Sequence, residues 1–578
     1  MYLTSKVQVP DCEGKITRKK IDKTKYVYYE IGRTYNKEKK YTVPTRVCIG
    51  KMVPDHDELM YPNEKFIKYF PELGLPKESE GHRSSCLRIG AFLVIRKIIA
   101  DYRLDVILAS IIGKNAGLFL DLAIYSIITE NNAGQYYPEY AYNHPLLTEN
   151  MMMYSDSAVS DFLRDVTVDQ RVEFLNQWNS KRDHREKIYI SYDSTNKASQ
   201  AGDIDIVEEG HAKVDEGKDI FNYSVAYDRN NREPLFYESY PGSIVDVSQL
   251  QYTLEKTAAY GYRHVGFVLD RGYFSKGNIH YMDEHGFEFI LMVKGMKKFV
   301  SELILENQGT FENDRKNSIR AFKTSGITVR HTLYPSDQKD RYFHIYYSDI
   351  KRTKERDDLE TKIDRLGKKL KEFMGLQIKP GKEFRKYFDL IFFHEGEEDE
   401  KFMFAQEKTD VINQELKLCG YFVIITSEEM TAEQALTLYK SRDGSEKLFR
   451  GDKSYLGARS ERVYSNEAFE TKIFIEFVAM IIRCKMYTLL KDEMTRNEKK
   501  QNYMTVPAAI KELEKIELIR GGDSEYHMDY AVTATQKAIL KAFDMNAKSV
   551  IGQAREISSD LARIEMEQLE KRAADELA

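Results

Sequence analysis

KIYISYD (residues 187–193) alternates apolar and polar side chains and closes on Asp193. A period of two is what a strand with one buried face requires. Downstream, FNYSVAY (221–227) and PLFYESY (234–240) read as two further strands. A helical pattern fills 247–260, and HVGFVLD (264–270) then reads as a fully buried strand closing on Asp270. A second helix is expected at 275–285, followed by the strand FEFILMV (287–293). Strands joined by short turns predict an antiparallel meander, whereas strands joined through helices predict parallel crossovers.

Three strands, helix, strand, helix, strand is the succession of an RNase H-like domain. The expected fold class is therefore α/β, with a mixed five-stranded sheet and helices. Carboxylates at the ends of neighbouring strands, here Asp193 and Asp270, point from a rigid sheet into one crevice. A third acid comes from YKSRDGSEKLFRGDKSYL (439–456), where Tyr439, Arg442, Glu446 and Lys453 are separated by two, three and six residues. At ~100° per residue these four share an arc of roughly 60° on one helix face. A carboxylate can hold a divalent metal, while Arg and Lys hold phosphates. Three carboxylates can hold two Mg2+ ions, with Mn2+ as a substitute. One ion would activate a water or 3′-hydroxyl, and the other would stabilise the leaving oxygen of an in-line displacement.

Taken singly, each residue has a plainer reading. An Asp ending a strand is ordinarily a turn residue, Glu446 a solvated helix residue and Tyr439 a packing group. Asp203, Asp205, Glu208 and Glu209 are rival carboxylates, but GDIDIVEEG reads as a solvated loop. The coincidence of two strand-end acids with the spaced Tyr, Arg, Glu and Lys favours the metal-binding reading.

With 578 residues the chain is too long for one core. Hydrophobic residues make up 42% and charged residues 31%, as in a soluble globular protein. Cys12, Cys48, Cys86, Cys419 and Cys484 form no CxxC pair, which argues against a zinc ribbon or disulfide framework and for a reducing cytoplasm. MYLTSKVQVP lacks the apolar core of a signal peptide, and the run from Ile473 to Ile482 is too short to span a bilayer, so no membrane role is expected. Net charge is −5, yet residues 1–53 hold 13 Lys/Arg against 5 Asp/Glu. Nucleic-acid binding follows such local patches. The aromatic residues of KTKYVYYEIGRTYNKEKKYTV suit either a solvated sheet with Lys-rich edges or a DNA-contacting module.

Residues 1–60 read as short strands and 84–180 as helices. Ser157 is a candidate helix cap, and Thr167 with Gln170 a capping box for the next helix. That pair resembles a helix-turn-helix, although adjacent short helices are common. Leu359, Ile363, Leu366, Leu370 and Phe373 repeat at four and three residues, predicting a helical arm used for internal packing or a dimer contact. Ile557, Leu561, Ile564 and Leu569 predict a C-terminal helix that pairs protomers or docks on its own chain.

YISYDSTN, GKDIFNYSVAYDRNNREPLFYESYPGSIVD, FVLDRGYFSKGNI and YKSRDGSEKLFRGDKSYLGAR together resemble a DDE transposase of a bacterial insertion sequence. The group resembled is the one marked by Y-(2)-R-(3)-E-(6)-K, and the likeness covers roughly 185–490. It implies that Asp193, Asp270 and Glu446 form the metal-binding catalytic triad. It also implies that Tyr439, Arg442 and Lys453 contact transposon-end DNA. Relatives insert a largely β domain before the third carboxylate; ITVRHTLY, RYFHIYYSD and YFDLIFFHE would be its strands here, and CGYFVIIT (419–426) would return the chain to the core. The implied organisation is a basic β-rich segment (1–83) and a helical end-recognition region (84–180), both candidates for DNA binding. An RNase H-like core (181–294 and 419–492) is interrupted by an insertion domain (295–418), and a helical region (493–578) is a candidate dimer contact. The implied partners are terminal inverted repeats and target DNA, within a synaptic homodimer. The implied location is the bacterial cytoplasm, at the nucleoid when DNA-bound. Alternatives are a nuclease that cuts without joining and a domesticated, non-catalytic DNA-binding protein. Asp443 stands where relatives often carry Trp, and the sole Trp is Trp178, outside the insertion. Gly444 and Gly451 would face away from Tyr439 on the helix, allowing close backbone packing.

Overall fold

The computed structural model describes the chain except residues 1–6, 22–23, 38–39, 54–55, 74–82, 182–185, 200–203, 210–218, 245, 295, 338, 395, 397–399, 443–455, 458–459, 462, 499–500, 521–524 and 578, and the side chains of 246–247, 460–461 and 569–577. It forms two compact units. The first comprises Met1–Arg171, Ser454–Ala458 and Glu467–Ala578; the second comprises Val172–Lys453 and Arg459–Asn466.

The first unit opens with strands, as expected, but two of them are long: β1 (Val7–Gln8), β2 (Ile16–Ile21), β3 (Thr24–Asn36, 13 residues), β4 (Tyr41–Met52, 12 residues) and β5 (Leu59–Pro62). They make an antiparallel sheet in the order β1-β5-β4-β3-β2. Val27, Ile49, Met52 and Met60 form its core with Phe66 of α1 (Glu64–Tyr69) and with Phe70. The Asn63 side chain caps α1 by accepting from the amides of Lys65 and Phe66. β6 (Cys86–Arg88) pairs with a strand from far along the chain, Glu517–Arg520.

Helices then follow as expected: α2 (Gly90–Tyr102), α3 (Leu104–Ile112), α4 (Ala116–Thr129), α5 (Tyr137–Asn143) and α6 (Asp156–Asp165). Leu104–Thr129 is a longer apolar stretch than Ile473–Ile482. Gly113 (φ 58°) ends α3 within it, and much of α4 is buried inside the unit. α6 is capped by Ser155, which accepts from the Ala158 amide, so the expected cap Ser157 lies inside the helix. The Thr167–Gln170 capping box forms, at 2.9 and 3.3 Å, and opens α7 (Val168–Ser180). The N-terminal half of α7 is largely exposed, with Val168 and Val172 on its surface. In the second unit Trp178 Nε1 donates to the Pro234 carbonyl (2.9 Å) and Asn179 Nδ2 to that of Leu235 (3.0 Å), burying its far end. The C-terminal helix Ala547–Leu577 buries Ile557, Leu561 and Ile564 in its own chain, so these three are not open to a second protomer. The side chain of Leu569 lies outside the described residues.

The second unit is built on one sheet. The expected meander is β7 (Ile188–Ser199), β8 (Ile220–Asp228) and β9 (Glu233–Pro241), antiparallel throughout. After α8 (Asp246–Ala259), β10 (Val265–Leu269) lies parallel to β7; after α9 (Lys276–Glu284), β11 (Glu288–Met292) lies parallel to β10. The expected succession is present, but these five strands do not make a sheet by themselves. β12 (Ser318–Ile319), β13 (Thr324–Thr332), β14 (Asp340–Tyr347), β17 (Tyr421–Thr426) and β18 (Ser460–Glu461) extend it to ten. The order is β12-β13-β14-β17-β11-β10-β7-β8-β9, with β18 on β7. β17 pairs with β11 on one side and β14 on the other, closing an edge that would otherwise expose unpaired amides and carbonyls. ITVRHTLY and RYFHIYYSD therefore join the core sheet. YFDLIFFHE forms β15 (Phe388–Phe393), which pairs only with β16 (Lys401–Glu407).

The expected helical arm is α11 (Asp349–Glu372). Its Ile363, Leu366 and Leu370 pack with Tyr387 of α12 (Lys382–Tyr387), Phe388, Phe402 and Ile412 of α13 (Thr409–Leu418), flanked by Leu359 and Phe373. The apolar stripe is used within the chain. α10 (Lys297–Asn307) precedes this region, and α14 (Ala432–Lys440) follows β17.

Candidate active site

Parallel pairing of β7 with β10 runs from Ile188↔Val265 to Tyr192↔Leu269 and stops there. Antiparallel pairing with β8 continues through Asp193↔Val225 to Ala198↔Ile220. Asp193 therefore lies inside a strand and does not end one. The polar run DSTNKAS stays extended because β8 supplies its ladder and its side chains pair inwardly, as where Asn196 Nδ2 donates to Asn222 Oδ1 at 2.6 Å. Asp270 directly follows β10, as expected.

Each Asp thus stands one residue beyond the Tyr192–Leu269 pair. Asp270 keeps an extended backbone (φ −71°, ψ 155°), so both carboxylates continue the strand alternation on one face, together with Tyr189 and Val268. α14 covers that face. Its Ala432, Leu436 and Tyr439 pack with Val268, Ile290, Tyr346 and Ile424. The helix is set by a capping box in which Thr431 and Gln434 exchange bonds at 2.9 and 3.2 Å.

α14 ends at Lys440, capped by Ser441, so Tyr439 and Arg442 do not share one regular helix. The Arg442 amide donates to the Tyr439 carbonyl at 3.2 Å in a tighter turn, which brings the two side chains together. Tyr439 is 7% exposed; its ring lies beneath the Arg442 guanidinium, 5.5 Å from the centroid. That guanidinium makes an ion pair with Asp270. Burial works to lower the Arg442 pKa, but Tyr439, Asp270 and Asp193 outweigh it and hold the group above its ordinary value. One oxygen of Asp193 accepts the Ser194 amide at 2.9 Å.

The structure therefore brings together four of the expected site residues: Asp193, Asp270, Tyr439 and Arg442. Glu446 and Lys453 lie outside the described residues, as do Asp443, Gly444 and Gly451. Among the described residues no group of three or more His, Cys, Asp or Glu comes together as a metal cage. The Asp193–Asp270 pair still fits a hard divalent ion: both donors are oxygen and both are partly exposed. Of the rival acids, Glu208 bonds the Ser243 hydroxyl in a loop bridged to Ile220. Sequence reasoning missed Lys197, which continues the Asp193–Thr195–Lys197 alternation on the carboxylate face. It is buried, with its ammonium 4.3 Å from the Tyr223 ring centroid; the period-two spacing was the available signal.

A family model for the transposase DDE domain matches residues 191–482, just over half of the chain. Among solved structures, the chain is similar to the piggyBac transposase in a synaptic complex with hairpin DNA, at 8% identity over 71% of this chain and 65% of that one. It is also similar to the Mos1 transposase in a paired-end complex with the left transposon end, at 14% identity over 30% of this chain and 57% of that one. The TM-scores are 0.32 and 0.13, too low for either likeness to carry weight. No curated protein matches the chain. The matched segment contains both register-adjacent aspartates and the Tyr439–Arg442 turn, and the chain belongs to the transposase DDE domain family.

Proposed function

We propose that this chain is the DDE transposase of a bacterial insertion sequence, acting in the cytoplasm at the nucleoid. It binds terminal inverted repeats, cleaves the element ends and transfers the 3′ ends to target DNA. The observation that carries this reading is the pair Asp193 and Asp270, side by side on one sheet face with Arg442 held over them. The strand order β9-β8-β7-β10-β11 supports an RNase H-like core, with 295–418 inserted before the segment of the third carboxylate.

Asp193, Asp270 and Glu446 would hold Mg2+ or Mn2+, with room for two ions. Such ions supply activation of a water or 3′-hydroxyl and stabilisation of the leaving oxygen. The remaining chemistry is positioning. A rigid ten-stranded sheet fixes the two aspartates relative to one another. Arg442, braced by the Tyr439 ring, presents a planar fork suited to phosphate oxygens. Lys453 adds a second cation to the DNA grip, and Tyr439 acts there chiefly by holding Arg442. Two DNA ends must be brought to one target, which calls for a homodimer in the synaptic complex.

The test mixes purified protein, Mg2+, end-containing duplex and a supercoiled target plasmid. Cleavage followed by joining supports the transposase. Cleavage without joining points to a nuclease, and binding without either reaction to a domesticated DNA-binding protein. Asp193→Ala is expected to abolish both reactions while duplex binding persists; full activity in that variant would falsify the site.

A further inference from the structure

The hairpin of β3 and β4 has two halves of different character. In the first, Val27 and Ile49 are fully buried with Met60 and Phe66, and Tyr29 and Val47 pack against the same cluster. The register then shifts: Glu30 pairs with Arg46 but Gly32 with Thr45, leaving Ile31 as an extra residue. Such a bulge bends and twists the strand that carries it. Beyond it no described residue of 31–37 or 40–46 is buried. Pairing nonetheless continues through Arg33↔Pro44, Thr34↔Val43, Tyr35↔Thr42 and Asn36↔Tyr41. The distal half is a two-stranded ribbon in solvent on both faces. An isolated ribbon of this kind is marginal unless it is braced or docked.

One brace is visible at its root. Glu30, 9% exposed, receives Arg33 Nε at 2.5 Å from its own strand and lies 3.8 Å from an Arg46 nitrogen on the other. Both arginines remain open to solvent on their outer sides, with side-chain exposures of 66% and 41%. Lys37 and Lys40 are exposed near the tip, and residues 31–46 hold five Lys or Arg against one acid, Glu38. The two faces carry an exposed ring each: Tyr35 (60%), in register with Thr42, and Tyr41 (55%), in register with Asn36. Lysines on an edge strand serve to block sheet addition, which accounts for Arg18, Lys19 and Lys20 on β2. That role does not account for a ribbon with no inward face.

We infer that the ribbon of 31–37 and 40–46 is an arm that inserts into a groove of double-stranded DNA, with Lys37 and Lys40 on phosphates and Tyr35 and Tyr41 against opposite walls. A two-stranded ribbon matches the width of the major groove, about 12 Å. The cations match the partner's charge, and an aromatic ring on each face suits insertion better than lying flat. The inference rests on the transposase reading for its partner and deepens it by naming the element that grips the duplex.

The experiment uses the full chain and a fluorescent 40-base-pair duplex, with binding followed by anisotropy across a salt series. Lys37→Ala with Lys40→Ala removes two phosphate contacts, so the slope of log K against log salt is expected to become shallower by about 1.8, with affinity falling about tenfold or more at low salt. Lys298→Ala with Lys316→Ala, at exposed positions elsewhere, is expected to leave both unchanged. A photocrosslinking residue at position 35 and another at position 41 are each expected to join to DNA. An unchanged slope, or crosslinking from one face alone, overturns the arm while leaving the transposase reading intact. If the wild-type chain binds no duplex at all, both fall together.

Discussion

Asp193 lies beside Asp270 because the last parallel pair between their strands is Tyr192 with Leu269, and each aspartate is the next residue along. The neighbourhood is fixed by backbone register, and Asp270 is ion-paired with Arg442. Both acids should be needed for activity, and Asp270 should also contribute to stability.

Asp270→Asn and Asp193→Asn are both expected to abolish strand cleavage. In metal-free buffer, Asp270→Asn should also lose stability, because it removes the ion pair with Arg442. The loss should be small, on the order of 1 kcal/mol, since the Asp270 side chain is 39% exposed. Trp178, the only tryptophan, is buried in the second unit and gives a direct fluorescence readout in urea. Unchanged stability in the Asp270 variant would contradict the pairing.

Tyr439 separates packing from chemistry. Tyr439→Phe keeps the ring against Val268 and Leu436 and beneath Arg442, so unfolding followed at Trp178 should shift much less than in Tyr439→Ala. Tyr439→Ala opens a cavity in that cluster and should cost roughly 3 kcal/mol or more. It should also impair cleavage, by freeing Arg442 from its support. Equal stability of the two variants would count against a packing role.

The strands at 188–292 were legible because aromatic and β-branched residues alternate in KIYISYD and fill HVGFVLD. The rest of β7 was not. DSTNKAS carries no apolar alternation and is held as strand by its neighbour β8, a tertiary effect that local pattern does not encode. Likewise, ITVRHTLY and RYFHIYYSD announce strands but not partners, and only the free edge of β11, filled by β17, draws them into the core sheet. At the site, the spacing of Tyr439 and Arg442 correctly placed them together. Helical periodicity could not show that α14 stops between them, nor that Arg442 turns onto Asp270. Register, more than residue identity, was the missing information.

Asp121 should make the first unit sensitive to rising pH. It is fully buried and accepts the amides of Leu147 (2.8 Å) and Thr148 (3.1 Å). Burial pushes its pKa up to about 7, against the opposing effect of those amides and Arg83. With a folded pKa above the unfolded one, the folded state holds the extra proton between roughly pH 4 and 7. Stability from this group is complete below that window, falls through it as pH rises, and is level above. Asp121→Asn removes the titration while keeping one acceptor. Exchange-derived opening free energies at the Leu147 and Thr148 amides should fall from pH 4 to 7 in the wild type and stay flat in the variant. Parallel profiles would sink the assignment.

His344 should act in the opposite direction in the second unit. It is buried on β14 between two neighbouring strands, with Nδ1 2.9 Å from Thr328 Oγ1 and Nε2 2.9 Å from Thr426 Oγ1. The Thr426 hydroxyl donates to the Glu428 carbonyl at 2.8 Å, so Nε2 donates to it, and Nδ1 of the neutral ring accepts from Thr328. Burial lowers its pKa to about 4. The unfolded chain binds a proton near pH 6.5 that the folded state refuses, so stability is full above that value and drains away as pH falls toward 4. The loss should reach roughly 3 kcal/mol at the lower limit. Acid unfolding followed at Trp178 should therefore begin below pH 6.5, and His344→Gln, which retains a donor and an acceptor without the titration, should flatten the curve between pH 6.5 and 4. The variant will be less stable near neutrality, because its shorter reach strains one of the two hydroxyl bonds. The decisive comparison is the slope with pH, which must change even though the starting stability also does.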